Sequence, residues 1–141
     1  MAEWDVAMSV AEGCPAEAVR AAYYADDTAA LQAPGAGLLL AETDGAIVGS
    51  AAWWPLAPGI AELGKVFVTE AMRGSGIGDR LVGAVLAGMR ADGYRHARLE
   101  TATFMHAAIR LYARHAFRRC PFFRPPPEGL AALTVAMERA L

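Results

Sequence analysis

Arg73 and the alternating glycines Gly74, Gly76 and Gly78, in "RGSGIG", form the run of this chain best suited by type and spacing to chemistry. Glycine is a poor helix former, yet this run stands at the entry to an apolar segment that reads as a helix. Such crowding suits backbone that must come very close to a bound group, often a phosphate. A triphosphate-binding loop closes with Gly-Lys-Ser/Thr, whereas Gly78 is followed by Asp79 and Arg80. A dinucleotide fingerprint needs GxGxxG after the first strand of a βαβ unit; here the spacing is GxGxG, after a third strand. What remains is an anion cradle of backbone N–H groups at a helix N-terminus. Arg73 can add a charge-assisted contact, and the Asp79 carboxylate is expected to turn away. A cradle of this kind holds a phosphate without cleaving it, which points to a carrier cofactor whose pyrophosphate is a handle.

The elements that must position this loop follow from local pattern. "CPAEAVRAAYYADDTAAL" reads as one or two short helices. "GLLLAE" and "AIVGSAAWW" read as strands joined at Asp44-Gly45, a hairpin signal. "PLAPG" reads as a break, followed by a third strand over Ile60–Val68. After the loop, Val82, Val85, Leu86 and Met89 fall on one helical face, with Gly93 as the stop. "RHARLET" alternates Ala97, Leu99 and Thr101 with Arg98 and Glu100, as a strand does. "HAAIRLYARHAF" puts Ala108, Leu111, Tyr112 and His115 on one helical face. "RPPPEG" forces a loop, and "LAALTVAMERAL" holds a last strand. The order α, β, β, β, α, β, α, β predicts a single domain of class α+β (mixed α/β).

Composition excludes several classes. The chain has 141 residues, 55% hydrophobic and 20% charged, enough to bury a core. A net charge of −2 leaves no footprint for nucleic acid. No apolar run approaches the roughly 20 residues that span a bilayer, so no membrane is expected. The acidic N-terminus lacks the basic start of a secretory signal. Cys14 and Cys120 lie far apart with no CxxC pairing, which suits a reducing cytoplasm and argues against structural zinc. His96, His106 and His115 are not spaced as a metal site, and no metal is expected.

"RGSGIG" resembles the Arg/Gln-x-x-Gly-x-Gly/Ala signature of the GNAT N-acetyltransferase superfamily, on Arg73, Gly76 and Gly78. "AELGKVFV" resembles the strand before that signature, and "LETATFMHAAIRLYARHAF" the strand and helix after it. The ending, "CPFFRPPPEGLAALTVAMERAL", is similar to a subgroup closing with a Pro/Phe-rich loop and a final strand. The resemblance runs from about Gly37 to the C-terminus. It implies a mixed, mostly antiparallel sheet whose parallel central strands splay apart, with helices on both faces. It also implies transfer of an acetyl group from acetyl-CoA to an amine of a small molecule or peptide, by direct attack and without a metal. Val66, Phe67 and Val68 would pair with the pantetheine arm as an added strand would. The amides of Gly74, Ser75, Gly76, Ile77, Gly78 and Asp79 would hold the pyrophosphate, with Gly64 consistent with a bulge in the strand.

Three positions depart from the family pattern: Glu70 for a proline, Met105 for an asparagine near the cofactor, and Ala116 for a glycine, a mild change. By position, Tyr112 would protonate the leaving thiolate, although amphipathic spacing alone would also bury it. Glu62 matches an acidic position on the central strand and would accept the amine's proton, directly or through water; it equally fits an ordinary strand carboxylate. Glu100 is the second candidate. Trp53-Trp54 and Phe122-Phe123 are aromatic pairs that fit either an acceptor pocket or a core. A non-catalytic acyl-CoA-binding module of the same fold is the alternative, to which Met105 lends some support. A homodimer is a common outcome for chains of this family.

Overall fold

The structure, a computed structural model, describes residues 28–141. The expected N-terminal helices and Cys14 fall largely or wholly outside the described residues; a short helix, α1, spans Thr28–Leu31. Six strands follow: β1 (Gly37–Thr43), β2 (Ala46–Ala57), β3 (Ile60–Val68), β4 (His96–Ala102), β5 (Arg118–Cys120) and β6 (Thr134–Ala140). They form one sheet in the order β1-β2-β3-β4-β6-β5. Every neighbouring pair is antiparallel except β3 with β4. Helix α2 (Ile77–Ala91) connects that parallel pair, and α3 (His106–Arg114) follows β4. The sheet is therefore mixed, as the element order implied, and mostly antiparallel, as the resemblance implied.

The β1–β2 hairpin turns on Asp44 and Gly45, both at positive φ (51° and 80°), the geometry that favours Asp-Gly. β2 does not stop at "PLAPG". It runs on through Pro55 to Ala57, with a register irregularity between Pro55 and Ala57. Proline lacks a ladder donor, and it is tolerated at such irregularities. The chain then reverses at Pro58-Gly59.

The bulge expected near Gly64 is present, one residue further on. Between Ser50 and Ala52 the partner strand advances from Phe67 to Gly64, so β3 carries an extra residue. Lys65 takes the left-handed conformation there, φ 55°, and the Ser50 hydroxyl donates to its carbonyl at 2.7 Å. Gly64 is small for a different reason: a Cβ at that position would lie 2.2 Å from the Trp54 ring.

Both helices pack into one apolar cluster. Leu81, Val82, Val85, Leu86 and Met89 of α2 and Tyr112 of α3 meet Ala61 and Leu63 of β3, Ala97 and Leu99 of β4, and Val135 and Met137 of β6. The helical period of α2 and the strand period of β4 thus converge on the same face. Helix α3 ends in a Schellman-type turn: Phe117 N–H donates to the Tyr112 carbonyl at 3.0 Å. Ala116 stands at the left-handed position of that turn, φ 65°. The family glycine answered a backbone requirement that Ala116 meets only under strain, so this departure is less mild than the sequence suggested.

Candidate active site

The parallel strands β3 and β4 pair only over Ile60–Glu62 and His96–Arg98. Beyond Glu62 and Arg98 the ladder ends, while β3 runs on to Val68 and β4 to Ala102. From Leu63 onward the edge of β3 turned towards β4 therefore has no strand partner. A cleft of about 560 Å³ opens in this gap. β3 lines it from Leu63 to Val68, and so do Glu100, Thr101 and Ala102 of β4, the glycine loop, and Ala108, Leu111, Tyr112 and Arg114 of α3.

At one end of the cleft the glycine loop leads into α2. Gly74 and Gly76 have φ of 77° and 87°, and a Cβ on either would meet nothing within 4 Å. The loop is thus an open concavity that requires left-handed backbone. Gly76 occupies the N-cap of α2 with no side-chain hydrogen bond. The first-turn N–H groups of a helix have no intrahelical acceptor, and among the described residues no side-chain cap supplies one. These features suit an anionic group seated on backbone. Arg73 lines the cleft and its Nε donates to the Val68 carbonyl at 3.3 Å. Ser75 is turned back, its hydroxyl bonded to the Met72 carbonyl, and it does not line the cleft.

Asp79 lines the cleft, and its carboxylate is held by side chains at the end of α3. Arg114 Nη2 donates to its Oδ2 at 3.1 Å, and His115 Nε2 lies 3.2 Å from its Oδ1. The hydrogen bond from Arg114 chiefly holds the Asp79 carboxyl below its ordinary value. The carboxylate beside the cradle is therefore partly neutralised, and Arg114 is brought to the cleft wall.

Tyr112 lines the cleft and is buried, with its ring edge-on to Phe117 at 6.0 Å between centroids. Burial pushes its hydroxyl well above the ordinary tyrosine value, so it stays protonated. Met105 also lines the cleft and caps α3 with no side-chain hydrogen bond.

The two candidate carboxylates part company. Glu62 is buried, but it does not line the cleft. Arg124 Nη1 donates to its Oε2 at 3.0 Å, Arg124 Nη2 meets its Oε1, and Trp54 Nε1 donates to Oε1 at 3.1 Å. Glu100 does line the cleft. Its Oε2 lies 3.7 Å from Arg124 Nη1, and its Oε1 is buried with no hydrogen-bond partner. Burial raises the Glu100 carboxyl above its ordinary value, with Arg124 opposing and Glu62 adding to the shift.

The glycine loop, the end of β3, Met105 and Tyr112 are thus brought together, while Ser75 and Glu62 stand outside the cleft lining. Of the aromatic candidates, Trp53 is in the core and donates to Asp92 at 3.0 Å. Phe122 is exposed, and Phe123 lies near the guanidinium groups of Arg98 and Arg124, at 5.7 and 4.8 Å. Sequence reasoning missed Arg114 and Arg124. Arg114 sits three residues after Leu111, so helical periodicity could have found it; the fold-back of Arg124 onto Glu62 has no local signal. Among the described residues no cluster of His, Cys, Asp or Glu is arranged to hold a metal ion, and no helix is long and apolar enough to cross a membrane.

The family model for acetyltransferases of the GNAT family matches residues 4–117. A provisionally assigned acyl-CoA N-acyltransferase of Klebsiella pneumoniae superposes with a TM-score of 0.69 at 32% identity, covering 78% of this chain and 77% of that one. A ribosomal-protein-alanine N-acetyltransferase of Brucella melitensis gives 0.65 at 25% identity over 76% and 70% of the two chains. A GNAT acetyltransferase of Elizabethkingia anophelis with acetyl-CoA bound gives 0.67 at 18% identity over 90% of each chain, a likeness of fold. No curated protein matches the chain.

Proposed function

The chain belongs to the GNAT acetyltransferase family and is an acyltransferase; from that premise we propose that it moves an acetyl group from acetyl-CoA to an amine of a small molecule or peptide. The observation that carries this reading is the single cleft shared by the unpaired part of β3, the glycine loop and Tyr112. Acetyl-CoA supplies the activated thioester. The amides of Gly74, Gly76, Ile77, Gly78 and Asp79, with Arg73, seat its pyrophosphate, while the Ser75 amide is bonded to the Met72 carbonyl; Val66, Phe67 and Val68 pair with its pantetheine arm through the β3 edge that β4 leaves open. Backbone N–H groups on that edge stabilise the oxyanion formed on attack. Tyr112 donates its hydroxyl proton to the departing sulfur; burial keeps that hydroxyl protonated, so the proton is present for the step. We propose a cytoplasmic location as well, supported by Cys14 and Cys120 lying far apart without a CxxC pairing, which suits a reducing compartment.

Calorimetry with acetyl-CoA, followed by mass spectrometry of an amine panel incubated with enzyme and acetyl-CoA, tests the proposal. Saturable binding and an acetylated amine are expected. Tight binding with no acetylated product would instead favour a non-catalytic acyl-CoA-binding module.

A further inference from the structure

We infer that Glu100, not Glu62, is the carboxylate that takes the proton from the attacking amine, and that Arg124 is a positioning residue holding Glu62 out of the reaction. This rests on the acyl-transfer reading above. The placement follows from the strand register. Glu62 faces Arg98 in the last pair of the parallel ladder, where the strands are still joined. Two residues on, beyond the ladder's end, come Gly64 and Glu100, and both line the cleft. The Trp54 ring lies over Gly64 and donates to Glu62, so of the two carboxylates it is Glu100 that reaches the cleft lining.

The hydrogen bonds agree. Both oxygens of Glu62 are engaged, by Arg124 and Trp54, and 7% of its side chain is exposed. Glu100 has one oxygen at 3.7 Å from Arg124 and the other buried without a partner. A buried carboxylate oxygen left unpaired is costly, and a substrate N–H in the cleft would satisfy it. The charged groups around Glu100 are Arg124 on the 121–129 loop and Glu62 on β3, with the Arg98–Glu138 pair two residues back on β4 and β6. Lys65 and Tyr112 share the cleft lining.

The step balances without another reactant. The neutral amine nitrogen forms a bond to the thioester carbonyl carbon, and Glu100 takes one N–H proton. The carbon–sulfur bond then breaks with its electron pair on sulfur, which Tyr112 protonates. The proton on Glu100 returns to the Tyr112 oxygen through solvent, leaving amide and thiol.

The test compares pH–rate profiles of wild type, Glu100→Gln, Glu62→Gln and Arg124→Met, with benzylamine and lysine methyl ester as acceptors. Glu100→Gln should lower kcat by about 100-fold or more and abolish the acid limb, with KM for acetyl-CoA little changed. Glu62→Gln removes a negative neighbour and frees Arg124 for Glu100, so the acid limb should persist and move to lower pH. Arg124→Met should move it to higher pH; if that variant does not fold, the two glutamate variants still decide. An acid limb lost in Glu62→Gln and kept in Glu100→Gln would overturn the assignment. Should wild type acetylate neither amine nor any of a wider panel, acyl transfer to amines fails, and the Glu100 assignment is then read separately. Carbon-13 NMR titration should place the Glu100 carboxyl above the ordinary value of about 4.3, with Glu62→Gln lowering it. A Glu100 carboxyl at or below that value would overturn it.

Discussion

Arg114 and Asp79 join the two helices at the mouth of the cleft: the guanidinium of α3 donates to the carboxylate in the first turn of α2, Nε at 3.3 Å and Nη2 at 3.1 Å. Both side chains are about half exposed, so the pair itself contributes no more than about 1 kcal/mol to stability. Its larger consequence is electrostatic, because it offsets a carboxylate that would otherwise repel phosphate beside the glycine loop.

Arg114→Ala removes a cation from the cleft wall and leaves Asp79 less neutralised, two effects of one sign. Acetyl-CoA affinity measured by calorimetry should fall about 5- to 10-fold, equivalent to roughly 1 kcal/mol, with a shallower salt dependence than wild type. Unchanged affinity would mean that the phosphates lie elsewhere.

Tyr112→Phe keeps the ring that packs on Phe117 and removes only the hydroxyl. Turnover should drop by about 100-fold while the dissociation constant of acetyl-CoA stays near that of wild type. Equal turnover of the two proteins would make Tyr112 a core residue and nothing more.

Ala116→Gly relieves a left-handed residue that carries a Cβ. The strain is about 1 kcal/mol, part of it offset by the extra freedom of glycine in the unfolded chain. Thermal unfolding should show a midpoint up to about 4 °C higher. A lower midpoint would show that the Schellman turn tolerates alanine without cost.

Glu100 is raised in the folded state, so the native protein holds its proton at pH values where the unfolded chain has released it. The sign is that of a group whose favourable form is complete below the unfolded value of about 4.3 and is lost as pH rises through the folded value. Wild type should therefore lose stability relative to Glu100→Gln as pH climbs from about 4 towards neutrality. At pH 7 the variant should unfold at an equal or slightly higher temperature, while being catalytically impaired. A variant markedly less stable at pH 7 would indicate that the charged carboxylate is a structural partner of Arg124.

Much of this arrangement was legible because its signals are local. Asp44-Gly45 prescribes a hairpin turn, Val82 to Met89 prescribe a buried helix face, and alternating glycines prescribe backbone open to a ligand. Tyr112 was placed by resemblance as well as by period. What escaped the sequence is non-local. β5 has three residues, too short for a period, and exists because β6 offers it an edge. Pro55 reads as a break, yet a register irregularity lets β2 continue through it. Glu62 and Glu100 look alike in sequence. Only the residue at which the ladder between β3 and β4 stops distinguishes them, together with a loop arginine 62 positions from Glu62 that folds back onto it.

The most direct measurement of the central claim is thiol release from acetyl-CoA, followed continuously with purified protein across a broad panel of primary amines. Release above the no-enzyme rate is expected with at least one amine, in step with appearance of its acetylated form and strongly reduced in Tyr112→Phe. Release equal to the no-enzyme rate with every amine, from a protein that binds acetyl-CoA, would contradict that claim.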